Sequence, residues 1–350
     1  MKAARLYGAR DMRVEDVPEP RAPLAGEALI RVAAVGVCGS DLHTYEDGRI
    51  GDTVVRDPLV LGHEFSGTVV AAGPDAHDGF GASLSPGQRV AVEPGMPCWH
   101  CDRCEHGHPN LCRHLGFMGL WPDDGALQEL LIVPARNCFP LPESLSMDAG
   151  ALLEPLGVAL HALDLAKLRL AKPVAVLGCG PIGLLIIRLA KLAGAAPLYA
   201  IDQFDWRLDA AREWGADEVI DMRTEDSIEA LRARTGGRGV PTVIEAAWAG
   251  DAVRQAVEMA DLGGRVVLVG IPGDDSAHFK HSSARRKGLS LIMCRRMKHT
   301  YPRATQLAET GAVALDRLVT HHFPLEQAGE AHALNAAYQD NVIKAMITVG

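Results

Sequence analysis

From about residue 174 the sequence alternates between short apolar runs and stretches with helical spacing, and this alternation limits the fold more than any other feature. Runs at 174–177, 198–201, 218–220, 242–245 and 265–269 read as strands, and the segments 181–192, 207–214, 228–234 and 252–259 between them read as helices. Strand and helix in turn at this spacing predict a parallel sheet covered on both faces. The uninterrupted apolar character of the runs fits strands buried on both sides.

A glycine turn opens this region. Gly178-Cys179-Gly180-Pro181-Ile182-Gly183 matches G-x-G-x-x-G. Alone the hexapeptide would be an ordinary surface turn. Here it follows an apolar strand and begins a helix, which is the context that gives it meaning. The first glycine permits a tight turn, the second lets backbone approach a pyrophosphate, and the third lets helix and strand pack closely. The helix N-terminus then offers free N–H groups and a positive dipole end to phosphate. Asp202 ends the next strand, nineteen residues after Gly183. A carboxylate there accepts hydrogen bonds from ribose hydroxyls and repels a 2′-phosphate. Gln203 follows it rather than arginine, so NAD is expected over NADP. Arg207 either flanks the adenine ribose or is a solvated helix residue.

The flanking sequence reads differently. Segments 27–37, 67–72, 89–93 and 127–133 are short β candidates with glycine or proline nearby. Residues 147–168 have helical spacing. After 288 the alternation stops, leaving helical segments at 302–311 and 325–335 and a closing strand at 342–349. The expected plan is one domain inserted within another: residues 1–146 with 289–350, and residues 147–288. With 350 residues, 48% of them hydrophobic, the chain can bury two cores. A net charge of −9 argues against nucleic acid and anionic membrane as partners, since both need a basic face. No stretch approaches the ~20 apolar residues of a membrane span. The N-terminal residues have no apolar core of signal-peptide length, so the cytoplasm is the expected location.

Four of the eight cysteines, Cys98, Cys101, Cys104 and Cys112, give C-x2-C-x2-C-x7-C. One loop with these spacings can wrap a tetrahedral ion, and four thiolates close its shell, which makes the site structural. An iron–sulfur cluster is the main rival. The longer last spacing and the lack of a proline after Cys112 favour zinc. His100, His106 and His108 share the loop and read as exposed residues rather than ligands.

Three further pieces complete the pattern: Gly36-Val37-Cys38-Gly39-Ser40-Asp41-Leu42-His43, Gly62-His63-Glu64, and Glu154-Pro155-Leu156-Gly157. Each alone has an ordinary structural reading, with Cys38 as a small buried hydrophobe or His63 as a core histidine. Together with the glycine turn and the cysteine lobe they resemble the zinc-dependent medium-chain dehydrogenase/reductase family over essentially the whole chain. Within it the sorbitol (polyol) dehydrogenases are most similar, because they too carry Glu after the histidine ligand and an E-P-L stretch. The resemblance implies an α/β protein with a GroES-like, mainly-β catalytic domain and a Rossmann doubly wound coenzyme domain. It implies that Cys38, His63 and Glu64 hold a catalytic zinc. Glu154 would be an exchangeable fourth ligand or bonded to the zinc water. Zinc would act as a Lewis acid on a secondary alcohol while hydride passes to C4 of NAD. Ser40 would accept the alcohol proton and His43 relay it, a role suited to a group that titrates near neutral pH.

Arg295-Arg296-Met297-Lys298-His299-Thr300-Tyr301-Pro302 resembles the polyol enzymes' R-Y-x-x-T-W-P, with Arg296 in the place of the arginine that contacts substrate hydroxyls. Met297 replaces the tyrosine. Thr44 stands where those enzymes place a second polyol-contacting tyrosine, and Phe117 and Met118 are further pocket candidates. The substrate expected is a polyol such as sorbitol, xylitol or galactitol, and the assembly implied by the family is a homotetramer. L-Threonine 3-dehydrogenase and 2,3-butanediol dehydrogenase are the rival activities, and a non-catalytic dinucleotide-binding protein is the rival from another class.

Overall fold

The computed structural model describes residues 1–247 and 250–350, which divide into two compact units: Met1–Glu154 with Tyr301–Gly350, and Pro155–Thr300. The first unit opens on a small antiparallel sheet of Lys2–Leu6, Met12–Asp16 and Leu59–Val60. Strand β1 (Glu27–Gly36) then carries Ala28, Ile30, Val32 and Ala34 inward while Arg31 points to solvent, the two-residue period of a half-buried strand. Helix α1 (Gly39–Asp47) follows and ends at Gly48, whose left-handed φ of 65° suits a residue without Cβ. Strands β2 (Glu64–Ala72), β3 (Arg89–Val92), β4 (Leu130–Pro134) and β5 (Cys138–Pro140) continue the unit.

Residues 147–168, expected as one helix, form two: α2 (Met147–Ala151) and α3 (Leu153–Ala166). Pro155 explains the break. It has no N–H to give the Ala151 carbonyl four residues back, and proline is tolerated only in a first turn, where the second helix places it. Helix α2 packs on β1, β2 and β3, so the sheet of the first unit reaches beyond the expected boundary at 146.

In the second unit, β6 (Val174–Leu177), α4 (Pro181–Leu192), β7 (Leu198–Asp202), α5 (Asp205–Trp214), β8 (Glu218–Asp221), α6 (Ser227–Arg234), β9 (Val240–Glu245), α7 (Ala252–Met259), β10 (Ala260–Leu268), α8 (His281–Lys287) and β11 (Ser290–Met293) alternate. The six strands are all parallel, in the order β8-β7-β6-β9-β10-β11. This is the doubly wound order of dinucleotide-binding domains. Every residue of β6 and β7 is buried, as strands covered on both faces require. Strand β11 lies past the expected boundary at 288. Its apolar residues Leu291, Ile292 and Met293 stay partly exposed at the sheet edge.

The chain then returns through α9 (Tyr301–Glu309), β12 (Val319–Pro324), α10 (Ala328–Ala336) and β13 (Lys344–Thr348). The main sheet of the first unit runs β5-β3-β2-β1-β13-β12, with β4 also paired to β1. The returning segment therefore joins the sheet of the first part: Met346 of β13 opposes Gly36 of β1, which opposes Glu64 of β2. Among the described residues no helix is long and apolar enough to cross a membrane.

Candidate active site

The cysteine lobe closes on itself. Sγ–Sγ distances are 3.6 Å for Cys101–Cys104, 3.8 Å for Cys101–Cys112 and 3.4 Å for Cys112–Cys98. A tetrahedral zinc with Zn–S bonds of about 2.3 Å needs sulfurs roughly 3.8 Å apart, so the four thiols match that ion. Backbone N–H groups of Cys98 and His114 point at the Cys112 sulfur, 3.2 and 3.3 Å away. Backbone donors from Arg113 and Cys104 lower the Cys101 thiol to about 6, while burial pushes the neighbouring Cys104 thiol up to about 12. His100 and His106 turn their rings to the backbone carbonyls of Cys98 and Asp102.

A second cluster forms around α1. Cys38 is the residue just before the helix, and its N–H meets the Asp41 carboxylate at 3.3 Å. The other Asp41 oxygen lies 3.2 Å from His63 Nδ1, so the free face of that imidazole is Nε2. Ser40 Oγ sits 3.3 Å from Nε2 and 3.4 Å from the Cys38 sulfur. Burial opposes charge on His63, but Asp41 and then Cys38 outweigh it and raise its pKa well above the ordinary value. A thiol beside an imidazole whose far nitrogen is held by a carboxylate is a donor set suited to zinc. The Phe117 ring packs on His63 with centroids 5.2 Å apart. His43 is buried on the same helix. Thr44, expected at the substrate, donates its hydroxyl proton to the Ser40 carbonyl at 3.1 Å, as a threonine inside a helix readily does one turn back.

Glu64, expected as a zinc ligand, is paired with a buried lysine. Both its oxygens accept from Lys344 Nζ, at 2.9 and 2.7 Å, and the third ammonium proton goes to the Val37 carbonyl at 2.8 Å. Lysine and glutamate are 2% and 1% exposed. Gly36 makes the space: a Cβ there would lie 2.3 Å from the Glu64 carboxylate. Among the described residues, the four thiols are the one group of three or more His, Cys, Asp or Glu ligands drawn within 4.8 Å of one another. Cys38 and His63 come together, Glu64 turns to Lys344, and Glu154 is buried near the start of α3. Glu154 is also one of three carboxylates, with Glu93 and Glu64, that add to burial in raising the Tyr301 phenol.

Sequence reasoning missed Lys344, assigned Asp41 no chemical task, and passed over His332. The buried His332 ring lies on α10 with Nδ1 2.7 Å from the Ala328 carbonyl, and it acts electrostatically on Asp41. One signal was available: a lysine within the apolar closing strand implies a buried partner, because lysine is almost never buried unpaired.

In the second unit the glycine turn has the shape a dinucleotide needs. Gly178 has φ +92°, and a Cβ there would meet the Ala246 carbonyl at 2.6 Å. A Cβ on Gly183 would strike the Gly178 carbonyl at 1.8 Å. A Cβ on Gly180 would find nothing nearer than Arg207 at 3.7 Å, which leaves backbone open to a phosphate. Pro181 and Ile182 form the first turn of α4, with proline at a position where its missing N–H costs nothing. Asp202 accepts from the N–H groups of Cys179 at 2.7 Å, Gln203 at 2.7 Å and Phe204 at 3.0 Å. A carboxylate has about four acceptor sites, so one remains for a ribose hydroxyl. Arg296 lies on the loop after β11 with a left-handed φ of 55°.

Comparison with known proteins agrees with both units. Residues 24–143 match the alcohol dehydrogenase GroES-like domain, and residues 181–310 match the zinc-binding dehydrogenase domain. Fold and site thus define a zinc-dependent, NAD-linked alcohol dehydrogenase with a GroES-like catalytic domain and a Rossmann domain. The sorbitol dehydrogenase of Bacillus subtilis (strain 168) is 35% identical over 347 residues, 99% of this chain and 97% of that one. The solved 2R,3R-butanediol dehydrogenase of Bacillus subtilis has a TM-score of 0.86 at 32% identity, covering 100% of this chain and 99% of that one. Galactitol-1-phosphate dehydrogenase from Escherichia coli has a TM-score of 0.89 at 28% identity, with 100% of both chains covered. The chain belongs to the zinc-dependent medium-chain dehydrogenase/reductase family and, within it, is sorbitol dehydrogenase-like.

Proposed function

We propose that the chain oxidises one secondary hydroxyl of a polyol to a ketone, with Cys38, His63 and Glu154 as protein ligands of the catalytic zinc. The observation that carries this is the placement of Ser40 Oγ within 3.4 Å of both the Cys38 sulfur and His63 Nε2. Zinc in such a site supplies a Lewis acid that lowers the pKa of an alcohol, and NAD takes the hydride. Asp41, 3.2 Å from His63 Nδ1, would orient the ring and leave Nε2 to hold the zinc. Ser40 receives the substrate proton through a hydrogen bond. His43, three residues further along α1 and so on the same helical face, carries the proton onward. Lys344 satisfies Glu64, which leaves the one carboxylate position of the ligand set to Glu154. Arg296 remains the candidate for contact with substrate hydroxyls, on the resemblance alone. Phe117 lines the imidazole side of the pocket. A cytoplasmic homotetramer belongs to this proposal through the family resemblance, and light scattering on the purified protein tests the assembly.

The similarity to a sorbitol dehydrogenase over 99% of the chain favours a free polyol. NADH formation at 340 nm on sorbitol, xylitol, galactitol, galactitol 1-phosphate, 2,3-butanediol and threonine tests the assignment. The free polyols are expected to give the highest kcat/KM. A higher value on threonine or butanediol would move the chain to a rival activity.

Asp202 yields a second prediction. Three backbone donors hold its carboxylate in place at the end of β7, where a 2′-phosphate would be repelled. kcat/KM with NAD is expected to exceed that with NADP by about a hundredfold, the scale of a buried like-charge contact of several kcal/mol. Equal use of both cofactors would remove Asp202 as the discriminator.

A further inference from the structure

Glu245 ends β9 at the crevice side of the parallel sheet and is 2% exposed. It lies in register between Leu177 of β6 and Leu268 of β10. One carboxylate oxygen accepts from the Ala247 N–H at 2.7 Å and the other from the Gly270 N–H at 3.2 Å. Its backbone carbonyl accepts from the Val269 N–H at 2.8 Å. The segments it joins are packed without slack. A Cβ on Gly270 would lie 2.0 Å from the Ala247 carbonyl and 2.5 Å from the Glu245 carboxylate, and a Cβ on Gly178 would press on Ala246. The carboxylate thus ties together the backbone leaving β9 and the backbone leaving β10, directly beside the glycine turn.

Sheet order gives this position its meaning. Strands β6, β7 and β8 run one way from the centre and β9, β10 and β11 the other, so the topological switch lies between β6 and β9. Each half of such a sheet holds one mononucleotide. Asp202, at the end of β7, belongs to the adenosine half. Glu245, at the end of β9, belongs to the other.

We propose that Glu245 is a positioning residue for the nicotinamide half of the dinucleotide, fixing the two backbone segments on which that half rests. The inference depends on the dinucleotide reading given above. Burial raises the Glu245 carboxyl to about 7, against the pull of the Ala247 and Gly270 N–H groups. Among the described residues no cation pairs with it; a buried acid of this kind is costly to keep for packing alone, and such groups gather at functional sites.

Full-length protein and the variants Glu245→Ala and Glu245→Gln would be titrated with NADH and, separately, with 5′-AMP. Loss of both acceptors in Glu245→Ala is expected to raise the Kd for NADH about tenfold or more. The Kd for 5′-AMP, which occupies only the adenosine half, is expected to stay within about twofold. Glu245→Gln keeps one acceptor and is expected to fall between. A retained AMP affinity shows that the unit is folded in each variant. NADH affinity unchanged in Glu245→Ala, or AMP and NADH weakened alike, would overturn the proposal. Should the unaltered protein bind neither ligand, the dinucleotide reading itself falls.

Discussion

Cys38→Ser is expected to lower kcat on any polyol substrate by about a thousandfold or more, because a Lewis acid supplies several kcal/mol of the barrier reduction. Oxygen of a serine is a poor zinc ligand beside a thiolate, and the His63 imidazole and Glu154 carboxylate that remain would hold the ion far more weakly. Three measurements separate this effect from general damage. Zinc content should fall from about two ions per chain to about one, since the closed four-thiol lobe keeps its own ion. NADH affinity should stay near that of the unaltered protein, because the glycine turn and Asp202 lie in the other compact unit. The lobe's Sγ positions involve none of the α1 residues, so its metal should resist mild chelation equally in both proteins. Turnover within tenfold of normal with the second ion absent would defeat the assignment of Cys38.

Lys344→Met is the second large effect. It leaves the Glu64 carboxylate buried without its cation, and breaking one side of such a pair costs about 3–5 kcal/mol. The double change Lys344→Met with Glu64→Gln removes both charges and should recover much of that loss, a coupling that a double-mutant cycle reads directly. Urea unfolding followed by tryptophan fluorescence gives the midpoints. Burial works against the Lys344 charge, but Glu64 and then Cys38 hold its pKa above the usual 10.5. A raised lysine pKa contributes stability that is complete below the unfolded value and is lost as pH climbs through the folded one. The difference between the unaltered protein and Lys344→Met should therefore be flat from pH 6 to 9 and shrink only above about 10.5. A cost below about 1 kcal/mol for the single change would mean that Glu64 does not depend on Lys344.

How much of this was readable beforehand follows from the range of each interaction. The doubly wound unit was legible because its strands, helices and glycine turn are written in local periodicity. The four-thiol lobe was legible because its ligands fall in one loop. Glu64 entered the expected ligand set through the family resemblance, as the residue after His63. As the chain enters β2, however, successive side chains point to opposite sides. His63 faces Asp41 and Ser40, while Glu64 faces Lys344, 280 positions away in sequence. No local pattern encodes a partner at that distance. The same holds for His332, which α10 brings to bear on Asp41. The Pro155 break was written in the sequence, since proline inside a helix forbids a bond four residues back.

The insertion of β13 against β1 sets a timetable for biogenesis. On the ribosome, the segment 155–300 is complete and contiguous well before the last strand is made, and contiguous units fold as they emerge. The first unit must wait, with a sheet edge open and a carboxylate without its counterion, until residues 344–348 leave the exit tunnel. A nascent chain stalled short of that strand would present an unpaired edge to its neighbours and stay open to chaperones and to misassociation until residues 344–348 are in place.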